Sequence, residues 1–106
     1  MHLKGNGKGG RNQEIALSAC CYIEDIDTCV IFSVGSDGTD GPTDSAGGIC
    51  DHTTAQKIAK SEKSAMEYLK NNDSYTALGL ASDLIFTGPT GTNVNDLMVL
   101  LIAPRK

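Results

Sequence analysis

Three clusters in this sequence concentrate the groups that could do chemistry. The first, GNGKGGRNQE from Gly5 to Glu14, sets backbone amides at the start of an expected helix between Lys8 and Arg11. Free N–H groups at such a start, with positive side chains beside them, favour an anion. The second, GSDGTDGPTD from Gly35 to Asp44, carries Asp37, Asp40 and Asp44 just past an apolar run. One or two carboxylates there suit a hard cation that also takes water and phosphate oxygens. The third, TGPTGTNVNDL from Thr87 to Leu97, crowds hydroxyls, amides and small residues between two apolar runs, where they could line a polar pocket. Each cluster also has a plain structural reading. The first can be a glycine hinge, Asp44 a helix cap, and Asn93 and Asn95 partners of neighbouring backbone.

Several chemistries find no support. Gly5-x-Gly7-x-x-Gly10 formally matches a dinucleotide-binding turn, but only a strand stub precedes it. The acids about twenty positions on, Asp25 and Asp27, stand before the next strand and not at its end. No Gly-Lys-Ser/Thr closes a phosphate loop, no twelve-residue calcium loop is present, and no Gly-x-Ser-x-Gly elbow suggests a hydrolase. His2 and His52 stand alone. A net charge of −4 offers no basic stripe for nucleic acid, and no apolar run is long enough to span a bilayer. Cys20, Cys21, Cys29 and Cys50 lack metal-ligand spacing and read as free thiols of a reducing cytoplasm.

The elements that must position these clusters follow from periodicity. Apolar residues at Ile15, Ala16, Ala19, Cys20 and Ile23 predict a helix over RNQEIALSACCYI, capped by Asn12 or the glycines before it. Thr28 to Val34 is a β-branched run that predicts a strand covered on both faces. Gly35 to Gly48 reads as a loop into a short helix capped by Thr43 or Asp44. Asp51 to Leu69 reads as two helices or one broken one, with Ser64-x-x-Glu67 as a capping box. A short helix over Tyr75–Leu80 follows, then strands at Leu84–Phe86 and Leu97–Ala103. With 106 residues and 40% apolar content, one small domain over 1–106 is expected. Alternation of strands and helices predicts an α/β fold of three layers, a mostly parallel sheet flanked by helices. The opening His2-Leu3-Lys4 looks like the end of a strand, suggesting an incomplete fragment of a larger two-domain α/β protein. Its exposed edge could also pair between copies into a homodimer.

Taken in order, GKGGRNQE, GSDGTDGPTDSAG, NDSY and TGPTGTNVNDL resemble the C-terminal MOFRL domain of the class II glycerate kinases, from about Gly5 to Leu101. The resemblance implies part of an ATP-dependent enzyme that phosphorylates D-glycerate to 2-phosphoglycerate, with an N-terminal kinase domain absent and the isolated chain inactive. It implies ATP and Mg²⁺ as cofactors and glycerate as substrate. Laid on matching positions, it makes Arg11 the charge on the glycerate carboxylate or transferring phosphoryl group, with Glu14 orienting it or serving as a first-turn acid. Asp37 and Asp40 would hold Mg²⁺, Asp40 also as a catalytic acceptor of the substrate hydroxyl proton. Gly9, Gly10, Asn12, Thr87, Thr90, Thr92 and Asn93 would line or brace the site. The alternatives are a non-catalytic small-anion module, or part of an NADH-dependent hydroxypyruvate reductase, a label some relatives carry.

Overall fold

The computed structural model describes residues 7–23, 26, 28–41, 43–61, 63–88, 90 and 96–102. In chain order the elements are α1 (Arg11–Ile23), β1 (Cys29–Gly35), β2 (Gly47–Cys50), α2 (Thr54–Ala59), α3 (Ala65–Lys70), α4 (Ser74–Leu80), β3 (Leu84–Ile85) and β4 (Asp96–Ile102). Helix α1 forms where the 3.6-residue stripe predicts it, and its buried face is Ala16, Leu17, Cys20 and Ile23. The segment Asp51 to Leu69 breaks into two helices, and Ser64 caps α3 by accepting from the Glu67 N–H at 3.3 Å.

The sheet has four strands in the order β3-β2-β1-β4, and every pairing is antiparallel. The expected parallel sheet is therefore corrected. Two features of the chain decide this. Strands β1 and β2 are joined by a helix-free loop, which can only return the chain antiparallel. The expected short helix after Thr43 and Asp44 is absent, and Gly47–Cys50 forms β2 instead. Glycines there read as loop, yet close packing requires them. A Cβ on Gly48 would stand 2.6 Å from Leu78 Cδ1 and 3.1 Å from Ala16 Cβ, so α1 and α4 press directly on this strand.

The core is one cluster in which Ala16, Leu17 and Cys20 of α1 meet Ile58, Ala65, Tyr68, Ala77 and Leu78 of the other helices, with Cys29 and Cys50 from the sheet. Cys29, Ile31 and Ser33 of β1 face these helices, which leaves Val30, Phe32 and Val34 on the opposite face with Ile49, outside that cluster. Two layers are thus found among the described residues, not three, and β1 is covered on one face. Strand β4 forms on the apolar run where one was expected. It is largely exposed, with Leu97 at 53% and Ile102 at 67%, because α1 lies over β1 and β2 and stops short of it.

Cys20, Cys29 and Cys50 are buried and outside any disulfide, and Cys21 is half-buried. Burial beside Asp83 and Asp51 pushes the Cys50 thiol up to about 12.

Candidate functional site

The three polar clusters meet at one end of the sheet, held by hydrogen bonds across long stretches of chain. The start of α1 is the hub. Its Asn12 and Gln13 N–H groups point out of the helix unpaired by sequence neighbours, and both donate to one carboxylate, Asp40, 2.9 Å to Oδ1 and 2.7 Å to Oδ2. Asp40 thus acts as the helix cap expected of Asn12 or the glycines. Its charge sits on the positive end of the helix dipole and is only 3% exposed. The amides expected to draw an external anion are filled by the chain's own acid.

Asn12 is 1% exposed and ties four parts of the molecule together. Its Nδ2 donates to Asp40 Oδ1 and to Asp96 Oδ1, both at 3.1 Å, and its Oδ1 accepts from Ser33 Oγ at 2.5 Å. Gln13 makes a second tie, with Nε2 donating to Thr43 Oγ1 at 2.9 Å. Arg11, one position before this hub, projects outward with 65% of its side chain exposed and forms an ion pair with Asp96. Glu14 accepts from Asn72 Nδ2 at 2.7 Å, so it fastens α1 to the α3–α4 turn, while Asp96 is the acid paired with Arg11.

The third cluster joins the second at its backbone. Thr90 Oγ1 donates to the Ser36 carbonyl at 2.6 Å, and its N–H reaches the Asp37 carbonyl at 3.4 Å. Gly38 has φ +88° and a Cβ there would lie 2.1 Å from Gly88 O, so these two loops touch main chain to main chain. Thr87 bonds locally, its hydroxyl donating to the Gly88 carbonyl at 3.0 Å. Gly9 is half-buried and Gly10 buried at the rim. Thr92 and Asn93 lie outside the described residues, as does the stub at Leu3.

Asp37 and Asp40 do not form the expected cation cradle. Asp40 spends both oxygens on α1, and Asp37 Oδ1 accepts the Thr39 N–H at 3.0 Å in its own turn. Among the described residues no group of three or more acids, cysteines or histidines is placed to hold a metal ion. Asp44 caps no helix. Its Oδ1 accepts the Tyr75 hydroxyl at 2.7 Å, a bond that holds the phenol proton and raises its pKa. The amides at the start of α1 are occupied by Asp40, so a dinucleotide turn lacks the free N–H groups it would need there.

What the site presents to solvent is Arg11 at the end of an open groove of about 640 Å³, lined with Glu14, Ile15, Ser18, Ala19 and Leu69. Sequence reasoning missed Ser33, Gln13 and the pairing role of Asp96. The signals were a lone serine inside an apolar strand and an acid at the start of another, each of which needs a partner once buried.

The MOFRL family profile matches residues 1–96. The D-glycerate 2-kinase of Thermotoga maritima is 57% identical over 102 residues, which is 96% of this chain and 24% of that protein. The glycerate 2-kinase of Pyrococcus horikoshii is 47% identical over 100 residues, 94% of this chain and 22% of that protein. The crystal structure of glycerate kinase from Thermotoga maritima superposes with a TM-score of 0.94 at 56% identity, over 97% of this chain and 25% of that one. The chain thus spans about a quarter of the length of the relatives it matches. No helix among the described residues is long and apolar enough to cross a membrane.

Proposed function

Since the chain belongs to the MOFRL family, we propose that it is the C-terminal part of an ATP-dependent glycerate kinase that makes 2-phosphoglycerate in the cytoplasm. The observation that carries this reading is the joining of the three clusters beside Arg11, through Asn12–Asp40, Asn12–Asp96 and Thr90–Ser36. Phosphoryl transfer asks a protein chiefly for positioning and for positive charge where negative charge gathers. An exposed guanidinium on a buried, hydrogen-bonded hub is suited to both. Its planar fork matches a carboxylate or a phosphoryl group in two parallel hydrogen bonds.

Mg-ATP, when bound, supplies the phosphoryl group and neutralises part of its charge. Of this chain's residues, Asp37 is the acid we assign to that metal, since one carboxylate with water and phosphate oxygens suffices for Mg²⁺. Asp40 is assigned to holding α1 in place. Thr90, Thr92 and Asn93 brace or line the rim from the third loop. The larger body found in the relatives completes the site, and this chain alone transfers no phosphoryl group.

The test is a chimera in which this chain replaces the matching quarter of the Thermotoga maritima relative. ³¹P NMR should show ATP-dependent conversion of D-glycerate to 2-phosphoglycerate, and Arg11→Ala should lower the rate at least tenfold. A chimera that folds and leaves glycerate untouched, or that oxidises NADH with hydroxypyruvate, refutes the assignment.

A further inference from the structure

The sheet has two faces of unequal fate. Helices cover the face of Cys29, Ile31 and Ser33, and among the described residues the other face holds no charged side chain at its centre. The antiparallel register sets Val30 opposite Leu101, Phe32 opposite Val99 and Val34 opposite Leu97, so these six side chains form one apolar surface across β1 and β4. Leu97 and Leu101 are 53% and 55% exposed. On the same strand Met98, Leu100 and Ile102, which point to the helical side, are 62%, 54% and 67% exposed, because no helix reaches that far. Among the described residues strand β4 is also the sheet's edge. A seven-residue strand, bare on both sides and at its rim, is the pattern of an interface and is hazardous if left open.

We propose that β4 and the outer face of β1 are the docking surface for the larger body that makes up the other three quarters of the relatives' length, which meets them with an uncharged apolar surface. Two observations choose this occupant. The relatives that match nearly all of this chain carry about three quarters of their own length outside the matched span. The surface also runs directly into the site: Asp96, the acid that holds Arg11, is the first residue of β4, and Leu97 is the next. A body seated on β4 therefore closes over the Arg11 rim without any hinge between dock and site. The groove beside α1 is a weaker dock, since Arg11 and Glu14 stand at its mouth and would be desolvated.

This inference rests on the proposed kinase reading, and the test separates the two. Hydrogen exchange is followed in residues 97–101 of the isolated chain and of the chimera described above, together with binding of the dye ANS to exposed apolar surface. The isolated chain should be monomeric, bind ANS and exchange quickly in β4. The chimera should lose ANS binding and slow β4 exchange at least a hundredfold. Leu101→Arg should leave the isolated chain folded, with undiminished stability, and keep β4 open in the chimera. Fast β4 exchange in the folded chimera overturns the proposal, as does closure in spite of Leu101→Arg. It is equally overturned if β4 is already protected in the isolated chain, or if that chain is a dimer dispersed by Leu101→Arg, because a second copy is then the occupant. Should the chimera stay unfolded, a marked loss of stability by Leu101→Arg in the isolated chain still overturns it. An inactive chimera with protected β4 refutes the kinase reading alone, and an active one with open β4 refutes the dock alone.

Discussion

Replacing Asp40 by asparagine distinguishes a carboxylate that holds the fold from one that holds a metal. Asp40 is 3% exposed and receives two main-chain N–H groups of α1, at 2.9 and 2.7 Å, and the Asn12 amide at 3.1 Å. Hydrogen bonds to a charged group are worth roughly 1.5–3 kcal/mol each. A negative charge at a partly buried helix start adds up to about 2 kcal/mol. Asparagine keeps one acceptor oxygen, so at least one main-chain bond and the charge are lost, and its NH₂ is turned against an N–H donor. The change should therefore destabilise the chain by roughly 2–4 kcal/mol, a large part of the 5–15 kcal/mol typical of a domain. With a urea slope of about 2 kcal/mol/M for this size, the midpoint should fall by roughly 1–2 M. Far-UV circular dichroism in urea, with and without Mg²⁺, measures it. The fall should be the same in both. A shift below about 0.3 M, or one that appears only with Mg²⁺ present, refutes the capping role and returns Asp40 to the metal.

Other perturbations probe the remaining parts. Gly38→Ala should cost more than Gly88→Ala. Both have positive φ, +88° and +71°, but only the first puts a Cβ against a neighbour, 2.1 Å from Gly88 O. Backbone strain alone is worth about 1–2 kcal/mol, so equal urea midpoints for the two variants would show that the loops do not touch. Asp83 and Asp51 should titrate with opposite signs. Burial raises Asp83 above its ordinary 3.8, so its share of stability is full at low pH and lost as pH climbs through the raised value. The Thr53 hydroxyl lowers Asp51, so its share is present above 3.8 and lost as pH falls through the lowered value. Urea midpoints of Asp83→Asn and Asp51→Asn from pH 2 to 6 should diverge from the parent in opposite directions, and a common direction would contradict this. Iodoacetamide at pH 8 should modify Cys21 well before Cys50, whose buried thiol stays protonated up to about 12. Comparable rates in peptide mass spectra would refute that burial.

The helices were legible in sequence because each carries its own signal, as the stripe of α1 and Ser64 with Glu67 show. Direction within the sheet was not, because an apolar run such as Cys29 to Val34 looks the same in either sense. What decides it is the connection, and the loop after β1 hides its return strand behind Gly47 and Gly48. Those glycines answer to helices far along the chain, Ala16 and Leu78 among their neighbours, which local reading cannot see. The same limit applies to the site. Arg11 and Asp40 were legible as chemistry-bearing types, and the pairing of Asp96 was not. That Asp40 would cap α1, and Asp96 pair with Asn12 and Arg11, is set by contacts across long stretches of chain.

The ion pair of Arg11 with Asp96 raises a question of purpose. With Arg11 65% exposed and Asp96 30%, it is a surface pair, worth about 0–1 kcal/mol at best. Stability is therefore a weak reason for an acid at that position. Position is a stronger one. Asp96 Oδ1 is fixed by Asn12 Nδ2, Asn12 is fixed by Ser33 and Asp40, and both of those are buried. Its other oxygen faces the guanidinium. The orientation of a long, otherwise mobile side chain is thereby referred, through three hydrogen-bonded steps, to the middle of β1. A guanidinium carries five N–H donors, so one carboxylate leaves others for an arriving anion. The pairing also lowers the energy of the free site, so an anion must outcompete or share with Asp96. Under the proposed kinase reading, that trade favours ligands with two or more charged oxygens over monovalent salt.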